Sequence, residues 1–172
     1  NMHQDEDGGG IHLTNCGVEC KNTFFNKCSS GSGGGAIFIY NYIGQTNNIL
    51  FDNLKFDECK STYGGAIYIY SSNFNNDILI NYCSFYFNEA SNHLVDNVDL
   101  YGGNSIFATT KRMRIIKSTF ENNQRSGKYI KINNSFDDIE EESIIINECE
   151  MNMKESNESH SIFILIEGCE FE

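Results

Sequence analysis

Residues 33–40 read GGGAIFIY, and residues 63–70 return almost letter for letter as YGGAIYIY. A repeated unit constrains a fold more than any single motif, because each copy must be the same structural solution used again. Anchored on the glycines and the isoleucine that follows, the unit occurs as GGGIHL at 8–13, GGAIFI at 34–39, GGAIYI at 64–69 and GGNSIFA at 102–108. Weaker echoes are SGKYIKI at 126–132 and SHSIFIL at 159–165. The key isoleucines are Ile11, Ile37, Ile67, Ile106, Ile130 and Ile162, separated by 26, 30, 39, 24 and 32 residues.

A second signature precedes the glycines, in which an apolar residue, a short gap, a small or polar residue and an aromatic recur. It reads FDNLKF at 51–56, INYCSF at 80–85, IIKSTF at 115–120, INECEM at 146–151 and IEGCEF at 166–171. Asn or Cys follows the aromatic three residues on, as in Phe25/Cys28, Phe56/Cys59, Phe85/Asn88 and Phe120/Asn123. Each unit is therefore strand, turn, strand, Asn/Ser turn and glycines.

A minimum period near 24–26 suits one coil of a parallel β-helix, whose windings stack about 4.8 Å apart. One coil cannot bury its inward face alone, so about six must stack into a continuous core. The larger insertions, 90–101 and 133–143, then project as loops. The glycines supply positive φ and close backbone approach at a corner reused once per coil. The Ala-Ile-Phe/Tyr-Ile that follows is the strand leaving that corner, its side chains alternating between two faces. An antiparallel sandwich of short strands is the alternative, but it does not require the same residue at the same place in every unit.

Composition agrees. The chain of 172 residues has no proline or tryptophan, and its Ile, Phe and Tyr fall in short stretches between Asn, Gly and Ser. That pattern favours strands over a helical bundle. A net charge of −12 argues against a nucleic-acid partner. No apolar run approaches the roughly 18 residues of a membrane span.

GGAI at 34–37 and 64–67, with Phe-x-x-Asn at 85–88 and 120–123, resembles the repeats of polymorphic outer membrane proteins, repeats also found in surface proteins of some protists. The resemblance covers nearly the whole chain and is clearest from about residue 24 to 123. It implies a right-handed parallel β-helix and a cell-surface or adhesive role, with a host or neighbouring-cell protein or glycan as partner. The chain departs from the pattern where Cys28 and Cys59 replace Asn and Met151 replaces Phe, and where later coils lose the double glycine.

Stacking the coils in register aligns Phe38, Tyr68, Phe107 and Phe163, with His12 and Lys131 at the weaker coils. With the isoleucines inward, these aromatics form an exposed ridge able to stack on sugar rings or dock a partner; covered ladder residues are the plainer reading. Of the seven cysteines, Cys83, Cys149 and Cys169 share one position with Ser118, which points to a small buried side chain. Cys28 and Cys59 share another, in adjacent coils, and are a candidate disulfide. His12, Cys16 and Cys20 lack the second close pair of a zinc site. The acidic runs 5–7 and 137–142 match no calcium-loop spacing and read as solvated charge.

Because many parallel β-helices cleave acidic polysaccharides, a lyase or hydrolase of the pectin-lyase-like type is an alternative. Inverting hydrolysis needs two carboxylates facing across a groove; the repeat offers Asp52, Asn81, Asn147 and Glu167 at one equivalent position. The leading expectation is a single domain over 1–172, a structural and adhesive surface β-helix without chemistry or cofactor of its own, displaying the loops 90–101 and 133–143. The last unit stops part-way through, which reads as a segment of a longer solenoid that meets further coils or another subunit end to end. A cytoplasmic scaffold or filament component is the third reading.

Overall fold

The structure, a computed structural model, describes residues 7–42, 46–72, 76–91, 103–121, 130–133, 143–152 and 164–167. These residues form an all-β solenoid of parallel strands, with no helix among them. The first winding holds β1 (Ile11–Thr14), β2 (Val18–Lys21) and β3 (Phe24–Asn26). The second holds β4 (Ile37–Asn41), β5 (Ile49–Asp52), β6 (Lys55–Asp57) and the short β7 (Lys60–Ser61). The third holds β8 (Ile67–Ser71), β9 (Ile78–Asn81), β10 (Ser84–Tyr86) and β11 (Glu89–Ala90). Then come β12 (Ile106–Thr109), β13 (Arg112–Ile116) and β14 (Thr119–Glu121), followed by β15 (Ile130–Asn133), β16 (Ser143–Asn147), β17 (Glu150–Asn152) and β18 (Ile164–Glu167).

Like strands stack on like. One sheet runs β1-β4-β8-β12-β15-β18, a second β2-β5-β9-β13-β16 and a third β3-β6-β10-β14-β17, with β7 and β11 paired beside them. Three windings are flanked above and below on all three long sheets: β4–β6, β8–β10 and β12–β14. About three full turns thus stand where the sequence predicts about six. The outer strands are flanked on one side only: β1, β2 and β3 end the three sheets on one side, and β18, β16 and β17 end them on the other.

The register follows the repeat. Ile11, Ile37, Ile67, Ile106 and Ile130 are successive cross-strand partners. The sixth anchor differs: Ile130 pairs with Ile164, two residues beyond the expected Ile162. The second signature stacks as Phe25, Phe56, Phe85, Phe120 and Met151. Those four phenylalanine rings lie almost parallel, with centroids 5.1, 4.9 and 4.7 Å apart along the column. They fill the core beside Ile37, Ile39, Ile49, Phe51, Ile67, Ile69, Ile78, Ile80, Ile106 and Ile115, all essentially sealed from water. Burial of such side chains, at roughly 1.5–3 kcal/mol each, is what offsets the entropy of ordering the chain.

The corners use two devices. Gly34 and Gly64 sit at φ of 62° and 58°, where a Cβ would strike the carbonyl of the isoleucine three residues on. Their neighbours Gly35 and Gly65 leave no room for a Cβ because the next winding's backbone passes directly over them. The other corners put non-glycine residues at φ near 50°: Asn22, Asn53, Tyr82, Lys117 and Glu148 in one column, Lys27, Glu58 and Phe87 in another. Each of these N–H groups up to Lys117 donates to the winding above, as Asn53 does to Asn81 (3.0 Å) and Tyr82 to Ile116 (3.1 Å). These hydrogen bonds fix a conformation that costs an L-residue roughly 1–2 kcal/mol.

Candidate functional site

The alternation of β4, β8 and β12 turns two aromatic columns outward from the first sheet. In one, His12, Phe38, Tyr68, Phe107 and Lys131 are successive partners. Phe38 and Tyr68 stack at 5.0 Å, Tyr68 and Phe107 at 5.3 Å, and His12 tilts onto Phe38 at 4.8 Å. The expectation that this column is an exposed ridge needs correction, since Phe38 and Phe107 are each only 8% exposed. The glycine corner folds over them: Gly33 abuts the rings of Tyr68 and Phe38, and Tyr63 lies against Phe107 with centroids 6.1 Å apart. Burial, and secondarily the nearby Asp7 carboxylate, pushes the Tyr68 hydroxyl above its usual range. Asp7 itself accepts a hydrogen bond from the Gly33 N–H (3.1 Å), tying the first winding to that cover. Phe163 lies outside the described residues, and the register continues this column from Lys131 to Leu165 instead.

The second column escaped the sequence reading although the same alternation carries it. Tyr40 and Tyr70 are partners two residues beyond Phe38 and Tyr68, with rings stacked at 4.8 Å. Tyr42, 56% exposed, meets Tyr40 edge-on at 5.1 Å. Its backbone N–H is held by the Asn15 side chain at 2.8 Å. A hydrogen bond between the Tyr40 and Tyr42 hydroxyls, with burial second, pushes Tyr40 up to about 12.

The cysteines serve the corners. Cys28 and Cys59 are neighbours in one column, but both are free thiols rather than the candidate disulfide. Each turns to backbone: Cys59 donates to the carbonyls of Phe25 (3.8 Å) and Asp57 (3.7 Å), and Cys28 to that of Asn26 (3.9 Å). Asn88 continues the column, accepting from the Cys59 N–H at 2.9 Å and donating to the Phe56 carbonyl at 3.2 Å. In the other column Cys83 donates to the Asn81 and Phe51 carbonyls, Ser118 to that of Ile116, and Cys149 to those of Asn147 and Ile115. Cys169 lies outside the described residues. Burial pushes the thiols of Cys59 and Cys83 up to about 12, far from the thiolate that nucleophilic chemistry requires.

The polar column proposed for an enzyme is only partly assembled. Asp52 and Asn81 are partners joined by a 3.1 Å hydrogen bond, and Asn147 follows across Ile116. Glu167 is elsewhere, paired with Asn133 on the first sheet. The four positions therefore contribute one carboxylate, Asp52, to that face. No three His, Cys, Asp or Glu side chains among the described residues gather as a metal site. Of the acidic runs only Asp7 is described. The insertions 90–101 and 133–143 lie outside the described residues apart from their ends, Ala90, Ser91, Asn133 and Ser143, which place them between β11 and β12 and between β15 and β16. No protein-family model matches the chain, and no curated protein or solved structure does.

Proposed function

We propose that this chain is a right-handed parallel β-helix that acts as a rigid, non-catalytic surface element in the manner of polymorphic outer membrane protein repeats. The right hand is the one parallel crossovers adopt almost without exception. The observation that carries the functional reading is the use to which its potentially reactive groups are put. Thiols, hydroxyls and amides at the corners donate to backbone carbonyls within and between windings. Such a column stiffens the array. Recognition then falls to the insertions 90–101 and 133–143, which follow β11 and β15 in the chain and meet a glycan or protein on a host or neighbouring cell. Further coils or another subunit continue the stack at its ends.

Adhesion of beads coated with the chain to cells and to immobilised glycans tests this. Replacing 92–100 or 134–142 with a Gly/Ser linker should abolish adhesion while circular dichroism stays that of a β-solenoid. Beads that never adhere, or that adhere equally without either insertion, refute the proposal.

One observation favours a second reading, an intracellular scaffold: Cys59 and Cys83 are buried, hydrogen-bonded and unpaired, as in a reducing compartment. Titration of natively purified chain after unfolding separates the two readings. All seven thiols free supports the scaffold, and a deficit supports the oxidised surface setting.

A further inference from the structure

The two outward tyrosines of β4 and β8 have a property that neither surface display nor scaffolding uses. Tyr40 and Tyr70 are in register on neighbouring windings, with ring centroids 4.8 Å apart and planes 19° from parallel. They are half-buried, held at one edge by Tyr42 and flanked in their column by the smaller Thr14 and Thr109. The spacing is that of the ladder itself, about 4.8 Å, so every molecule presents the pair in the same geometry. No other pair of tyrosines among the described residues is stacked in register on adjacent windings.

We infer that Tyr40 and Tyr70 are a site of oxidative cross-linking, at which a peroxidase-type oxidant joins two successive windings through an intramolecular dityrosine bond. A haem peroxidase turning over hydrogen peroxide removes one hydrogen atom from each phenol, leaving two phenoxyl radicals with spin density on the carbons ortho to oxygen. The ortho carbons join in a new C–C bond, and each loses its ring hydrogen as a proton while a proton returns to each oxygen. Two phenols give one biphenol, two electrons and two protons pass to the peroxide, and two waters leave. Coupling within the pair outruns coupling between molecules because the partners are held adjacent on one chain, so that each phenoxyl meets the other at a far higher effective concentration than in dilute solution. The product staples β4 to β8 covalently, independent of the ladder hydrogen bonds.

The test treats the dilute 172-residue chain, its exposed thiols first capped with iodoacetamide, with peroxidase and hydrogen peroxide. The expected result is dityrosine fluorescence in a band of monomer size on a denaturing gel. Mass spectrometry of a digest should find a linked peptide pair carrying Tyr40 and Tyr70, lighter by two hydrogens. Tyr40→Phe and Tyr70→Phe keep the stacked ring and hence the fold, which circular dichroism checks, yet each should lower the monomer signal by about tenfold or more. Tyr82→Phe, at a distant corner, should leave it unchanged. Fluorescence confined to dimers and larger species overturns the inference. So does a product linking another pair, Tyr40 to Tyr42 included, or an undiminished yield in Tyr40→Phe.

Discussion

Replacing Gly65 with alanine puts the stacking of windings to its most direct test. Gly65 has no left-handed backbone to protect, so any effect arises from space alone. A Cβ there would lie 2.6 Å from the Glu89 carbonyl carbon and 2.7 Å from its nitrogen, and closer still to the Asn104 carbonyl oxygen. All three are backbone atoms of the next pass of the chain and cannot rotate away. Ordinary contact begins at 3.4 Å, so Glu89 must retreat by about 0.8 Å (3.4 less 2.6) and Asn104 by more. That displacement pulls on the bonds from Gly65 N–H to Gly103 O (3.2 Å) and from Ala66 N–H to Ser105 O (3.1 Å). Overpacking costs roughly 1–3 kcal/mol, and two weakened hydrogen bonds add about 1 kcal/mol each. The sum, about 3–5 kcal/mol, is a large share of the 5–15 kcal/mol by which a typical domain is stable. Urea unfolding followed by circular dichroism reads it: with a slope of about 2 kcal/mol/M, the midpoint should fall by about 1.5–2.5 M. Gly10→Ala is the control, because its Cβ would meet nothing nearer than the Ala36 oxygen at 3.0 Å; its midpoint should shift by less than about 0.5 M. A Gly65→Ala midpoint equal to that of the parent, or equal to that of Gly10→Ala, would refute the close approach of windings at this corner.

Phe85 is sealed between Phe56 and Phe120, so Phe85→Ala should lower stability by about 3–5 kcal/mol, while Phe85→Met, copying Met151 of the same column, should cost less than about 1.5 kcal/mol; equal losses in the same urea assay would count against a shared core column. Cys59 and Cys83, pushed to about 12 by burial, should ignore a thiol reagent at about pH 8 until the chain unfolds, whereas exposed Cys16 reacts at once; rapid labelling of all thiols would exclude the buried columns. Because the folded thiols keep their protons to higher pH than unfolded ones, their contribution is intact below the unfolded thiol's value of 9.0 and is lost as pH climbs toward about 12; Cys83→Ser should flatten that decline, and superimposable curves would show the thiol is not buried. Phe87→Asn removes a bulky residue from φ of 51° and should raise the urea midpoint by the equivalent of about 1 kcal/mol, a gain that would not appear if that corner were relaxed.

The repeat made the parallel stack legible because a stacked fold demands the same residue at the same height, and five of the six isoleucine anchors fall in register. The failure at the last anchor has a physical cause. The stretch written SIFILIE is apolar throughout 162–166, with isoleucines at 162, 164 and 166, so a slip of two residues keeps the same face inward and the pattern alone cannot choose between registers. The same slip carries Glu167 onto the first sheet, away from the column it was expected to share with Asp52. That the aromatic column is covered was the plainer reading of the sequence, but what covers it was not legible from β4, β8 and β12, because the cover comes from the glycine corners and Tyr63, whose path over the strands the alternation does not encode. The left-handed corners could be inferred only at Asn15, Asn22 and Asn53, where residue type signals that conformation; Lys27, Glu58, Tyr82, Phe87, Lys117 and Glu148 hold it against their preference.

Stacking also explains the composition, and through it what the surface can offer. Superposed windings bring like positions together, so like charges repel by about 1 kcal/mol at 4 Å even in water. At the corners acid therefore faces base: Lys27 meets Glu58 at 3.6 Å, Lys60 meets Glu89 at 3.2 Å, and Lys117 meets Glu148 at 3.7 Å. An amide faces its own kind without penalty because it both donates and accepts, as Asn53 does to Asn22 at 2.7 Å, and it donates equally to a carboxylate, as Asn81 does to Asp52 at 3.1 Å. Asparagine is thus the residue a stacked column tolerates most readily. Proline, which has no N–H, fails at corners whose amide protons bond the neighbouring winding, and the chain contains none. A lattice that uses its polar side chains on itself leaves few of them for chemistry. The large apolar side chains most exposed on the described faces are aromatic: Phe24, Tyr42 and Tyr82, each more than half exposed.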